Sequence, residues 1–166
     1  MSALAQLMSS ASDAWATPPE IIDRVVRVLG TIDLDPAADA ARTVPADHYY
    51  QREDDALRLP WGSIAEPWAI FLNPPYGRVL PRFLEHFTAE YRTGHIREAI
   101  LLLPARTDTA WFQYIWDMDA LCFLRGRLKF GGAANGAPFP SCLAYAGEKP
   151  WHFELETHAI GRVVRL

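Results

Sequence analysis

The sequence predicts an α/β fold: a mostly parallel sheet flanked by helices, with an antiparallel hairpin near its C-terminal end. Three observations carry this expectation. Short apolar runs of strand length alternate with amphipathic stretches of helical period. Three of those runs end in polar or proline-rich sequence, at Asp35-Pro36, Asn73-Pro74-Pro75-Tyr76 and Pro104-Ala105-Arg106-Thr107, and open α/β sheets bind ligands at the carboxyl ends of their strands. The two late strand patterns, Leu121–Phe130 and Ser141–Ala146, are separated by a loop rich in glycine and proline, Gly131–Pro140, as in a long hairpin.

Taken in order, Thr17-Pro18-Pro19-Glu20 reads as a helix start, with an N-cap threonine, a proline at the first helical position and a glutamate three residues after the cap. Ile21, Ile22, Val25, Val26 and Leu29 then recur at helical spacing until Gly30. Thr31–Asp35 alternates as a short strand. Trp68–Leu72 is an apolar strand running straight into the Asn-Pro-Pro-Tyr segment. Pro81–Tyr91 is an amphipathic helix, Ala99–Leu103 a buried strand ended by Pro104, and Thr107–Trp116 a helix. Phe153–Leu166 reads as strand.

The chain of 166 residues, 50% hydrophobic and 22% charged, suits one domain with a real core. Residues 1–12 are expected to be a flexible N-terminus and residues 13–166 a single domain, with no separate target-recognition domain. No apolar run approaches the roughly 18 residues of a membrane span. No basic residue precedes the weak apolar stretch in Met1–Ser12, so no secretory signal is read there. Cys122 and Cys142 are the only cysteines and match no metal or redox spacing, which suggests a reduced, cytoplasmic protein. The five histidines are scattered without ligand spacing, so no metal is expected. Trp61, Trp68, Trp111, Trp116 and Trp151 are expected in the core. The net charge of −4 argues mildly against holding nucleic acid by bulk electrostatics. Its distribution is uneven: residues 1–75 carry 5 basic and 11 acidic side chains, residues 76–166 carry 11 and 9.

The Asn-Pro-Pro-Tyr turn bears the chemistry. Each residue before a proline is steered into extended backbone, and neither proline has an N–H. The turn therefore offers an amide oxygen from Asn73, a carbonyl from Pro74 and an aromatic face from Tyr76. Two acceptors beside a π-face suit a planar ring that carries an amino group. Such an exocyclic amine is a poor nucleophile because its lone pair is delocalised. Acceptors on both N–H bonds pull it toward a tetrahedral shape and release that pair, so positioning and fixed dipoles would do the catalysis.

These residues resemble those of an amino-methyltransferase, and the ordered set is similar to the phage-type DNA N6-adenine methyltransferase family. The matching segments are Asp13-Ala14-Trp15-Ala16-Thr17-Pro18, Leu34-Asp35-Pro36-Ala37-Ala38, Asp54-Asp55-Ala56-Leu57 with Trp61, Asn73-Pro74-Pro75-Tyr76, Leu102-Leu103-Pro104-Ala105-Arg106-Thr107, and Gly126-Arg127-Leu128-Lys129-Phe130 with Pro138-Phe139-Pro140-Ser141. The resemblance implies a Rossmann-like class I methyltransferase fold, S-adenosylmethionine as cofactor and DNA as partner. It implies that Trp15, Thr17 and Pro18 line the methionine end of the cofactor. Asp35, with Pro36 and Ala37, would lie near its amino group. Asp55, rather than Asp54, would accept from its adenine amino group, with Leu57 packed nearby. Asp39 and Asp47 are candidates for the ribose. Asn73, Pro74, Pro75 and Tyr76 would hold a flipped-out adenine, with Phe130 or Phe139 stacking on it or shaping its pocket. Methyltransferases commonly place glycines after the first-strand aspartate; here Pro36-Ala37-Ala38 stand instead, and the phage-type family tolerates small residues there.

Arg78, Arg82, Arg106 and Lys129 are the candidate DNA contacts beside that pocket. The same motif also suits cytosine N4, RNA adenine or protein glutamine as the methylated amine. A binding module that kept the fold and lost turnover is the alternative of a different class. A homodimer sharing DNA contacts is compatible with so short a chain.

Overall fold

The computed structural model describes residues 16–166. Its centre is one seven-stranded sheet: β1 (Ile32–Asp35), β2 (Ala46–Tyr49), β3 (Trp68–Leu72), β4 (Ile96–Pro104), β5 (Ala120–Leu124), β6 (Ser141–Ala146) and β7 (Gly161–Arg165). The spatial order is β2-β1-β3-β4-β6-β5-β7. The first four strands in that order run parallel; the remaining three alternate in direction. The sheet is thus mixed, parallel on one side only. The expected hairpin of β5 and β6 is present, and β7 extends its far side.

Among the described residues four α-helices cover the two faces. Helix α1 (Pro19–Leu29) and α4 (Pro150–Thr157) lie over one, α2 (Leu80–Arg92) and the short α3 (Gln113–Trp116) over the other. Strand side chains alternate between these layers. Phe71, Ile100, Leu102, Leu143 and Tyr145 pack with Ile21, Val25 and Phe153. Ile70, Leu72, Leu101, Leu103, Cys142 and Ala144 pack with Leu84, Phe87 and Ile115. Strand β3 and residues 99–103 of β4 are buried on both faces, which explains why they read as unbroken apolar runs.

Several boundaries differ from the sequence expectation. Helix α1 begins at Pro19, and its N-cap position is Pro18, with no side-chain cap bond. The Thr17 hydroxyl is engaged elsewhere, as described below. The strand expected over Leu121–Phe130 stops at Leu124, because the chain turns through Gly126 at φ 76° and enters a one-turn 3₁₀ segment at Phe130–Gly132. Most of the expected helix over Thr107–Trp116 is irregular or 3₁₀, with only Gln113–Trp116 α-helical. Phe153–Leu166 is not a continuous strand; it completes α4 and then forms β7. Among the tryptophans Trp61 is fully buried, its indole N–H donating to the Ala56 carbonyl over 3.0 Å. Trp116 and Trp151, expected in the core, are 46% and 58% exposed. No helix of the described residues is long and apolar enough to cross a membrane.

Candidate functional site

Strands β1, β3 and β4 are parallel neighbours, so their carboxyl ends, and the three polar segments that follow them, share one edge of the sheet. Pro104 and the start of β6 continue this edge: Pro104 pairs with Ser141, and the Ala105 N–H donates to the Pro140 carbonyl over 2.8 Å.

Asn73 is the first residue after β3. Its side-chain Nδ2 donates to Thr17 Oγ1 over 3.0 Å, and Thr17 is buried. Because Pro18 holds extended backbone, φ −59° and ψ 140°, the threonine lies one residue outside the N-cap of α1. The hydroxyl that the sequence offered as a helix cap thereby orients an amide on the sheet edge. With the nitrogen on Thr17, the oxygen occupies the other branch of the amide.

Tyr76 closes the turn. Strand β3 ends with Leu72 opposite Leu101, whereas β4 continues to Pro104. The Tyr76 hydroxyl donates to the next carbonyl, that of Leu102, over 3.1 Å. Burial pushes the phenol well above its ordinary range, so it remains neutral and acts as a donor. The ring meets Phe139 and Phe130 edge to face, with centroids 5.4 and 6.1 Å away and both planes at 81°. Neither phenylalanine lies parallel to Tyr76, so the three rings wall one corner and form no ready-made stacking sandwich. Phe130 is anchored from the other side: Gly131, at φ 56°, donates its N–H to the Ala16 carbonyl over 2.9 Å. That φ favours glycine, and the bond ties the 131–140 loop to the segment before α1. This link had no signal in the sequence beyond the glycine itself.

Asp35 ends β1, is 4% exposed and accepts an N–H from Ala37 over 3.1 Å. Desolvation raises its carboxyl from 3.8 to about 7, partly countered by the Ala37 bond and reinforced by the charge of Asp39. Pro36 is buried beside it and Ala37 is partly buried. A carboxylate sealed in this way has much to gain from a cationic ligand. Asp54 and Asp55 differ sharply although adjacent. Asp54 accepts the Gln51 N–H over 2.7 Å and closes a one-turn capping box. Asp55 has left-handed backbone at φ 48°, and its exposed carboxylate meets Arg58 over 3.3 Å. Leu57 packs, partly buried, on the core beneath. Asp39 closes the loop after β1 through the Thr43 hydroxyl and N–H, and Asp47 is exposed on β2. Trp15 lies outside the described residues.

Arg78, Arg82, Arg106 and Lys129 are all exposed. Arg78 follows the proline turn, Arg82 is in the first turn of α2, Arg106 follows β4 and Lys129 precedes Phe130. Among the described residues none of the four is ion-paired. The Arg106 guanidinium sits over the Phe139 ring, 5.7 Å from its centroid. Cys122 and Cys142 are buried free thiols, pushed by burial up to about 11 and about 12; they are inert core residues.

Fold and site together define an α/β protein that presents an acceptor-rich proline turn, a buried carboxyl and a basic rim at the carboxyl ends of three parallel strands. The family described as DNA N-6-adenine-methyltransferase (Dam) matches residues 5–142, and the chain belongs to that family. It is 33% identical over 140 residues to the DNA N-6-adenine-methyltransferase of Escherichia phage T1, an alignment covering 75% of this chain and 56% of the phage protein. The chain therefore spans little more than half the length of this curated relative.

Proposed function

We propose that this protein transfers a methyl group from S-adenosylmethionine to the N6 amino group of adenine in DNA, on a Rossmann-like methyltransferase fold, with the base flipped out of the duplex. The observation that carries the reading is the Asn73–Thr17 hydrogen bond. It fixes the amide so that its oxygen is the end offered to an incoming amino group, and the Pro74 carbonyl is the second acceptor. Asn73 and Pro74 then hold both N–H bonds of the amine and favour the geometry in which its lone pair can attack. Tyr76 presents its ring to the base, while its bond to Leu102 fixes that ring in place. Membership of the family supports the same target.

The cofactor supplies an electrophilic methyl group on a sulfonium centre. The residues present fit it. The buried Asp35 carboxyl suits an α-ammonium group, Thr17 and Pro18 flank the methionine end, and Asp55 with Leu57 suits an adenine ring and its amino group. Small residues, Ala37 and Ala38, follow Asp35 where glycine is common. Trp15 belongs to the same set by sequence. The exposed cations Arg78, Arg82, Arg106 and Lys129 support phosphate contacts around the base pocket, although the whole chain is acidic.

Incubation with labelled S-adenosylmethionine and duplex DNA, followed by digestion to nucleosides, tests this reading. Label in N6-methyladenine is expected, and Asn73→Ala abolishes it. Label in N4-methylcytosine would move the target to cytosine. Cofactor binding without transfer, unchanged by Asn73→Ala, would reduce the protein to a binding module.

A further inference from the structure

Ser141 is 2% exposed, and its buried hydroxyl has no hydrogen-bond partner among the described residues. Buried hydroxyls are nearly always satisfied, and an exception calls for an explanation. Ser141 opens β6 opposite Pro104, and its hydroxyl is sealed from solvent. Its neighbours Cys142 and Ala144 belong to the layer of α2, whereas Leu143 and Tyr145 belong to the layer of α1. By alternation the Ser141 side chain points into the α1 layer. That layer also holds the rings of Phe130 and Phe139, and Tyr76 packs against it. Phe139 stands two residues before Ser141, and Pro140 between them is bonded to Ala105 at the end of β4.

We propose that Ser141 is a base-binding residue, whose hydroxyl donates to a ring nitrogen of the target base. This rests on the reading of the Asn73–Tyr76 turn as the site of amine methylation. That turn is rich in acceptors, and the Asn73 amide nitrogen is committed to Thr17. The exocyclic amino group of adenine lies between the ring nitrogens N1 and N7, which are acceptors only. A pocket holding both groups therefore needs a donor beside its acceptors, and a serine hydroxyl supplies one. Phe139 meets Tyr76 edge to face, so entry of the base shifts this ring and brings the base against the start of β6. The unsatisfied hydroxyl is then a cost of the empty protein that is relieved on base binding.

Two measurements on the full chain test this. The first is methyl transfer by wild type and Ser141→Ala to duplexes carrying adenine, 7-deazaadenine or 1-deazaadenine at the target position. Wild type loses about three- to tenfold in kcat/KM with one deaza analogue, the scale of a single hydrogen bond. Ser141→Ala shows a similar loss with adenine, is indifferent to that analogue, and binds S-adenosylmethionine normally. The second is thermal stability: removing an unsatisfied hydroxyl leaves the Ser141→Ala melting temperature level or higher. A variant as sensitive as wild type to both analogues, or one that loses activity and stability together, would overturn the proposal. Wild type that methylates no DNA adenine would overturn the functional reading and this inference with it. Adenine methylation with no role for Ser141 overturns the inference alone.

Discussion

The side-chain nitrogen of Asn73 donates to the hydroxyl of Thr17 across 3.0 Å, joining the first residue after β3 to the segment that leads into α1. Asn73 can present either end of its amide, and only the end opposite Thr17 is an acceptor. Replacing Thr17 by valine keeps the shape and leaves a partly buried amide N–H without this acceptor, which costs about 1 kcal/mol. The amide is then released to rotate. Methyl transfer by Thr17→Val is expected to fall about ten- to a hundredfold in kcat, while Thr17→Ser stays near wild type. Equal losses in both variants would place the role of Thr17 in packing instead.

Asp35 makes both stability and cofactor binding depend on pH. Its folded value of about 7 lies above the ordinary 3.8, so the folded protein holds this proton more tightly than the unfolded chain. The associated stability is present in full below pH about 4 and is lost as pH rises through about 7, a change of about 4 kcal/mol. In urea melts of the free protein, Asp35→Asn should exceed wild type in stability at pH 8 and lose that advantage toward pH 4. A cationic ligand selects the ionised carboxylate, so wild-type affinity for S-adenosylmethionine rises from pH 5 to pH 7. That of Asp35→Asn is weaker and flat. The window ends near pH 7.5, because an α-amino group itself titrates at about 7.7–8.0.

The neighbours Asp54 and Asp55 separate turn formation from ligand binding. Asp54 closes the Gln51 capping box, whereas the Asp55 carboxylate is exposed and meets the exposed Arg58 in an ion pair. Asp55→Asn retains a residue type that tolerates the left-handed backbone at φ 48°. Cofactor titration should show a loss of about tenfold for Asp55→Asn, as for a hydrogen bond to a charged group. Asp54→Asn should lose less. Equal losses would show that the turn itself, rather than the Asp55 carboxylate, sets affinity.

Trp68–Leu72 and the Asn-Pro-Pro-Tyr turn were legible because burial on both faces writes an unbroken apolar run and proline restricts its own neighbours. Strand β2 left no such trace: Ala46–Tyr49 is a four-residue edge strand with two exposed positions. The C-terminal half of helix α4 carries a strand-like pattern because Trp151, Phe153 and Leu155 form no helical stripe; Trp151 and Leu155 are exposed while Phe153 is buried. Its start was signalled only by Pro150 at the first helical position. Thr17 satisfied every local rule for a helix cap and was claimed by Asn73, 56 residues away. The tie from Ala16 to Gly131 likewise joins distant segments. Local pattern identified the parts of the site, and only tertiary packing decides which parts touch.

The basic rim should reveal itself in the salt dependence of DNA binding. Each phosphate contact adds about one unit to the slope of log affinity against log salt. Arg78, Arg82, Arg106 and Lys129 are exposed around the turn, in a chain whose net charge is −4. Local placement must therefore outweigh the overall charge, and few contacts should carry the slope. Replacing Arg78, Arg82 or Lys129 by alanine should lower the slope by about one unit each and weaken binding alike across sequences. Arg106 should behave differently, because its guanidinium also covers Phe139. Arg106→Lys keeps the charge and loses the flat contact over the ring, so its slope stays near wild type while kcat falls. Titration of a short duplex at several salt concentrations, paired with single-turnover rates, checks both expectations. An unchanged slope in Arg78→Ala, Arg82→Ala and Lys129→Ala would place the DNA path on another face of the molecule.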